Sequence, residues 1–260
     1  MASFARELTM NEKIAIANLK DNIRNKRVES VADQIEFPLN RSSYPEYVIR
    51  SAEDFEENFD KIFDKKQVEE FLTSDWYYHY GLLMNDAGYK GHFNDDGVLV
   101  IDRIPLSASE WSHVEYLVEK TKETLHPSVK DFAQPVLLMK AGKYLVRIDV
   151  LQGGKYRYAC WDKGADQSVK PALVLYEGEM FMNRYHASYR FSNNGYEYYI
   201  EEGVLGCSFS VSSPTKVLLS LDDYTDNIEF KFYPSYDYSL SRELYMYSVY
   251  SDEAIEERGL

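Results

Sequence analysis

The chain has 260 residues, 45% of them hydrophobic, and its 43 acidic against 29 basic side chains leave a net charge of -14. That excess of carboxylates repels phosphate backbones, and the densest basic stretch, KDNIRNKR (Lys20 to Arg27), is too short to reverse it, so nucleic-acid binding is disfavoured. No apolar run approaches the roughly 20 residues of a membrane-crossing helix, so no membrane insertion is expected, while 23 tyrosines supply ample aromatic surface for packed cores.

The opening MASFARELTM lacks the apolar segment of a signal peptide, which points to a cytoplasmic protein; a periplasmic or secreted one would need a leader ahead of this sequence. Cys160 and Cys207 are not arranged as C-x-x-C, so they are expected to be packed thiols rather than a zinc ribbon or a disulfide framework.

The first 75 residues read as helical. Thr9-x-x-Glu12 has capping-box spacing, and Ile16, Leu19 and Ile23 follow on one face, continuing less regularly through Val28, Val31 and Ile35, so one broken helix or two short ones should end near Phe37-Pro38. IEFPLNRSSYPEYVI fits two short strands around a loop. Ser51-x-x-Asp54 starts another helix, whose stripe of Phe55, Phe59, Ile62 and Phe63 faces a core while Glu53, Glu56, Glu57 and Asp60 face water.

From Trp76 onward the pattern changes. WYYHYGLLM is strand-like, Asn85 to Gly88 and Asn94 to Gly97 are turn tetrapeptides, and GVLVIDRI reads as a buried strand, which together predict a hairpin-rich sheet. Ser107 to Leu125 predicts a connecting helix with Trp111, Val114, Leu117, Val118 and Leu125 on one side, closed by His126-Pro127. After Asp131 come strand after strand, split by Ala141-Gly142, Gly153-Gly154 and Asn193-Asn194-Gly195, as in an antiparallel meander. Most tyrosines lie at or after Tyr144, often at alternating positions; that suits aromatic cross-strand pairs over a β-core, and less strongly an aromatic binding face.

The stretch SAEDFEENFDKIFDKKQVEEFL, preceded by IEFPLNR and a helical N-terminus, resembles the cone-shaped NTF2-like α+β domains of bacteria. KYRYACWDKG, KPALVLYEGE and YRFSNNGYEYYI resemble a β-rich module that accompanies such domains in uncharacterised bacterial proteins. The resemblance implies an α+β chain: an NTF2-like cone of helices on a curved antiparallel sheet over residues 1–107, then a connecting helix and an antiparallel β-rich domain over 108–260. It also implies a pocket that Tyr78, His79, Tyr80, His92 and Asp102 could line, with strand alternation placing Tyr78 and Tyr80 on one face and Tyr77 and His79 on the other.

No catalytic residue, metal site or cofactor is assigned. The five histidines show no H-x-x-x-H or H-E-x-x-H spacing, Asn85-Asp86 and Asn94 to Gly97 lack EF-hand spacing, and Walker A, G-x-S-x-G and G-x-G-x-x-G motifs do not occur. What the chain does offer is acidity with rigid amphipathic tyrosines, two ingredients of protein recognition, and Tyr196, Tyr198, Tyr236 and Tyr238 are the candidate anchors. The first expectation is a non-enzymatic binding module of a bacterial cell, of the kind of an immunity-type inhibitor of a basic toxin or effector. The alternative is a small-ligand or proton-transfer pocket in the NTF2-like half, with a β-module that binds sugar or peptide.

Overall fold

The structure, a computed structural model, describes residues 6–43, 45–79, 81–182, 186–203, 206–222 and 228–232. It is an α+β protein in two units, one comprising residues up to Arg41 with Glu46–Glu115, the other Ser42–Pro45 with Tyr116 onward.

In the first unit, α1 (Met10–Arg24) starts with the expected capping box: Thr9 Oγ1 accepts from Glu12 N at 3.3 Å and the Glu12 carboxylate accepts from Thr9 N at 2.7 Å. Ile16, Leu19 and Ile23 form its buried face. The helix breaks where Lys26 takes a positive φ of 51°, and α2 (Val28–Ala32) follows. β1 (Leu39–Ser43) and β2 (Glu46–Ile49) make a two-stranded sheet. Ser51 caps α3 (Ala52–Ile62), which buries Phe55, Phe59 and Ile62 and exposes Glu53, Glu56, Glu57 and Asp60. Asp64 then caps a separate helix, α4 (Lys65–Thr73), by accepting from Gln67 N at 2.9 Å.

Four strands complete this unit as an antiparallel meander: β3 (Trp76–His79), β4 (Leu82–Asn85), β5 (Lys90–Phe93) and β6 (Leu99–Arg103). Both turn tetrapeptides form as their chemistry requires. Asn85 Oδ1 accepts from Ala87 N and Tyr89 N, Asn94 Oδ1 accepts from Asp96 N and Val98 N, and Gly88 and Gly97 supply φ values of 86° and 74°. The space between helices and meander is filled by aromatic rings. Phe55, Phe59, Phe63, Phe71, Trp76 and Tyr89 are all buried, with Phe71 4.8 Å from Tyr89 edge to face; each such side chain contributes about 1.5–3 kcal/mol. Beyond the meander, Ile35 bridges Ile101 in parallel, so residues 34–36 run beside β6. α5 (Ala108–Thr124) begins in this unit, and the division between units falls within it.

In the second unit a 3₁₀ turn (Pro127–Val129) precedes nine strands: β7 (Gln134–Ala141), β8 (Tyr144–Val150), β9 (Tyr156–Asp162), β10 (Leu173–Met182), β11 (His186–Asn193), β12 (Tyr196–Gly203), β13 (Gly206–Ser213), β14 (Lys216–Asp222) and β15 (Glu229–Phe232). β7 to β14 follow one another in an antiparallel meander, and β15 adds to the free side of β7. Asn194 and Gly195, with φ values of 50° and 82°, make the two-residue loop between β11 and β12 that matches strand twist. The eight-strand meander curls into a half-barrel: Cys207 Sγ on β13 lies 3.5 Å from Met139 Sδ on β7, and Phe209 on β13 lies 6.1 Å from Tyr144 on β8. Its concave face carries Val146, Ile148, Tyr158, Tyr189, Phe191, Ile200 and Phe209, all buried.

Candidate functional site

The residues expected to line a cone pocket do not share a face. Tyr78 turns inward, where it packs on the first unit's core and donates to Glu12 Oε1 at 3.0 Å, beneath the Arg6 guanidinium 3.8 Å above its ring. His79, His92 and Asp102 are exposed, and Tyr80 lies outside the described residues. Pairing explains the split. Tyr78 stands opposite Leu83, Leu83 opposite Gly91 and Gly91 opposite Ile101, so this row faces the core, and the positions between face away.

On that outward face the meander brings His92 and Asp102 together. His92 stands opposite Val100, two residues before Asp102 on β6, and its Nδ1 lies 3.6 Å from Asp102 Oδ2. A third group, Glu36, joins them from the segment beside β6, and one ligand atom from each of the three lies within 4.8 Å of the others. Partial burial pushes the Asp102 carboxyl above its usual range; Glu36 adds to this, while His92 and the ammonium of Lys90 oppose it. Glu36 was not among the sequence candidates. It precedes Phe37-Pro38 in what reads as a connection, and only the bridge to β6 gives it neighbours.

A second cluster, also missed in the sequence, surrounds Glu110. The Ser107-x-x-Glu110 spacing makes a capping box at the start of α5, with Ser107 Oγ accepting from Glu110 N and Glu110 Oε2 from Ser107 N, both at 3.1 Å. The same carboxylate takes a two-pronged ion pair from Arg41, Nε to Oε1 at 2.8 Å and Nη2 to Oε2 at 2.5 Å, and both side chains are almost wholly buried. Arg41 also donates to the carbonyls of Ile104 and Pro105. Tyr47, Lys61 and His113 complete the cluster: the His113 ring is 4.9 Å from Tyr47 and Lys61 Nζ 5.0 Å above it. Burial raises the Tyr47 phenol, with Glu110 adding to the effect, and burial lowers Lys61 and His113.

In the second unit, three charges that alternation would put in water are enclosed instead. Asp149 holds Arg147 and Arg157, at 2.7 and 2.6 Å, and none of the three side chains is more than 2% exposed. Phe132 lies over both guanidinium groups, at 4.7 and 5.8 Å, and Arg157 donates to the carbonyls of Val129 and Asp131. This network fastens the 3₁₀ segment to the convex side of the sheet.

The convex side further along, from β10 to β14, is partly open to solvent among the described residues: Glu179, Phe181 and Arg190 are exposed, Glu197, Tyr199 and Glu201 half-buried, and Ser188 buried. One cross-strand row runs Glu179, Arg190, Tyr199, Ser210, Ser220; the next runs Phe181, Ser188, Glu201, Ser208, Asp222; a third adds Ser192, Glu197 and Ser212. Arg190 lies 5.0 Å from the Phe181 ring and 3.3 Å from Glu197, and Tyr199 donates to Glu201 at 3.0 Å. Of the expected tyrosine anchors, Tyr198 faces the concave core, 5.5 Å from Tyr158, whereas Tyr196 is exposed at the strand end. Tyr236 and Tyr238 lie outside the described residues. Tyr199, one residue further on, reaches that convex face, as does Phe181.

No protein-family model matches the chain, and comparison with curated proteins and with solved structures finds no match either.

Proposed function

We propose that the chain is a non-enzymatic protein-binding module that takes a basic partner on the open β10 to β14 face. The observation that carries this reading is the pattern of those rows: four carboxylates, Glu179, Glu197, Glu201 and Asp222, and one cation, Arg190, spread among serines around Tyr199 and Phe181. Such a face attracts a cationic protein at long range and offers two aromatic anchors at short range. The net charge of -14 acts in the same direction. An immunity-type inhibitor of a basic toxin in a bacterial cell is the role that such an acidic, tyrosine-bearing face fits best.

The test is a pull-down from source-cell lysate with the full chain and with a Glu179→Lys/Glu197→Lys/Glu201→Lys variant, at low and moderate salt. The proposal expects a basic protein retained by the unaltered chain, released as the screening length shrinks to about 8–10 Å, and not retained by the variant. Retention that survives both salt and charge reversal would place the binding surface elsewhere, and capture of no basic protein at low salt would end the proposal.

A further inference from the structure

We propose that Glu36, His92 and Asp102 form a binding site for one divalent first-row transition-metal ion on the outward face of the first unit's meander. The three side chains come from three adjacent segments, each fixed by its own backbone pairing. Glu36 N donates to Ile101 O at 2.8 Å and Ile101 N to Gln34 O at 2.7 Å, which clamps Glu36 beside the strand that carries Asp102. His92 is locked to β6 by its register opposite Val100. Two of the ligands thus stand on paired strands, and the third sits in a connecting segment that backbone hydrogen bonds tie to β6, which limits how far the three can drift apart.

The ligand set decides the ion. One imidazole nitrogen and two carboxylates suit Zn²⁺, Mn²⁺, Fe²⁺ or Co²⁺, whereas Ca²⁺ and Mg²⁺ prefer oxygen ligands alone. At metal–ligand lengths of about 2.0–2.2 Å, tetrahedral ligand atoms lie about 3.4 Å apart, so exposed side chains already within 4.8 Å need to close by at most about 1.4 Å. The 3.6 Å between His92 Nδ1 and Asp102 Oδ2 already brings two of the three ligand atoms close to the separation that one ion requires. The two carboxylates, with ligand atoms within 4.8 Å of one another, also repel, and a dication between them removes that repulsion. With three protein ligands on an exposed face, the ion keeps positions open to water or to a further ligand.

The experiment is calorimetric titration of the chelator-treated full chain with Zn²⁺ and with Mn²⁺, using Mg²⁺ as the control, alongside Glu36→Gln, His92→Gln and Asp102→Asn. The expected result is one equivalent of Zn²⁺ or Mn²⁺, weakened at least about tenfold in each variant, with no comparable Mg²⁺ binding. A readout that needs no variant is paramagnetic broadening by Mn²⁺: among the five histidines, the ring signals of His92 should broaden first. The absence of binding at millimolar ion, one equivalent bound with unchanged affinity in all three variants, or broadening centred on another histidine would each overturn the proposal.

Discussion

Glu110 and Arg41 give the sharpest test of how the first unit is held together. Both side chains are at most 1% exposed, joined by two charge-assisted hydrogen bonds, and Glu110 also accepts from Ser107 N. Glu110→Ala leaves a guanidinium enclosed with only the Ile104 and Pro105 carbonyls as acceptors, and the loss of one partner of such a pair costs about 3–5 kcal/mol. Loss of the reciprocal capping bond at Ser107 adds up to about 1 kcal/mol. Replacing both, as Arg41→Met/Glu110→Met, removes the stranded charge and should restore most of the loss, because a packed apolar pair is often as stable as a buried ionic one. The assay is urea unfolding read by hydrogen exchange on peptides from α3 and from β4 to β6, which reports the first unit by itself. If Glu110→Ala costs less than about 1 kcal/mol, the pair behaves as a solvated surface pair and the reasoning fails.

Asp149→Asn should be as damaging to the second unit, by about 3–5 kcal/mol in the same assay on β8 and β9, since two enclosed guanidinium groups would lose the carboxylate they share; a near-neutral result would mean that water reaches them. Glu12 is held down to about 2, from an ordinary 4.5, first by the Arg6 guanidinium and also by Thr9 and Tyr78. A carboxyl lowered on folding contributes fully above its unfolded value, so the advantage of the unaltered chain over Glu12→Gln in thermal midpoint should be constant near neutrality and shrink as pH falls from about 4.5 towards 2; a gap that widens on acidification would reverse the sign. A methyl group at Gly178 would sit 2.0 Å from the buried Phe191 ring, so Gly178→Ala should cost about 1–3 kcal/mol through overpacking, and unchanged stability would show that the ring can swing aside. Cys160 and Cys207 are both buried and burial raises the Cys160 thiol, so a thiol reagent should label neither until the second unit unfolds, and rapid labelling in the native state would refute that packing.

The parts of this molecule that were legible in its sequence are those whose cause is local. Thr9-x-x-Glu12, Ser51-x-x-Asp54, Asn85 to Gly88 and Asn194-Gly195 each carry both partners of their hydrogen bonds, or the required φ, within a few residues. What alternation could not supply was which face of a strand meets the core. Tyr198 and Tyr199 look equivalent in YEYYIE; Tyr198 is turned inward because Tyr158 waits across the curled sheet, and a one-residue slip of register would exchange the two. His92 and Asp102 are expected from the sequence as liners of a pocket together with Tyr78, His79 and Tyr80, yet the residue that joins them, Glu36, is 66 residues away from Asp102 in a segment with no strand pattern. Arg41 and Glu110 are separated by 69 positions, and Glu110 reads as an ordinary capping residue until a guanidinium from another element closes over it.

Two of the buried arginines hold backbone as well as a carboxylate. Arg41 spans the Ile104 and Pro105 carbonyls as well as Glu110, and Arg157 spans Val129 and Asp131 as well as Asp149. Groups tied in this way, with water shut out, are poorly placed to exchange protons with a substrate, which argues for these networks as fasteners rather than as acid–base machinery. The two faces proposed for binding use groups that solvent reaches: Glu36, His92 and Asp102 in one unit, and the carboxylate rows around Tyr199 in the other. The two proposals rest on different physics. Coordination of an ion depends on three ligand atoms closing to within bonding distance and survives moderate salt, whereas attraction of a basic surface depends on summed charge and fades with it. Because they draw on separate residues in separate units, substitutions at one should leave the other's binding intact, so loss of both from a single set of variants would mean that a common fold, and not either face, had been disturbed.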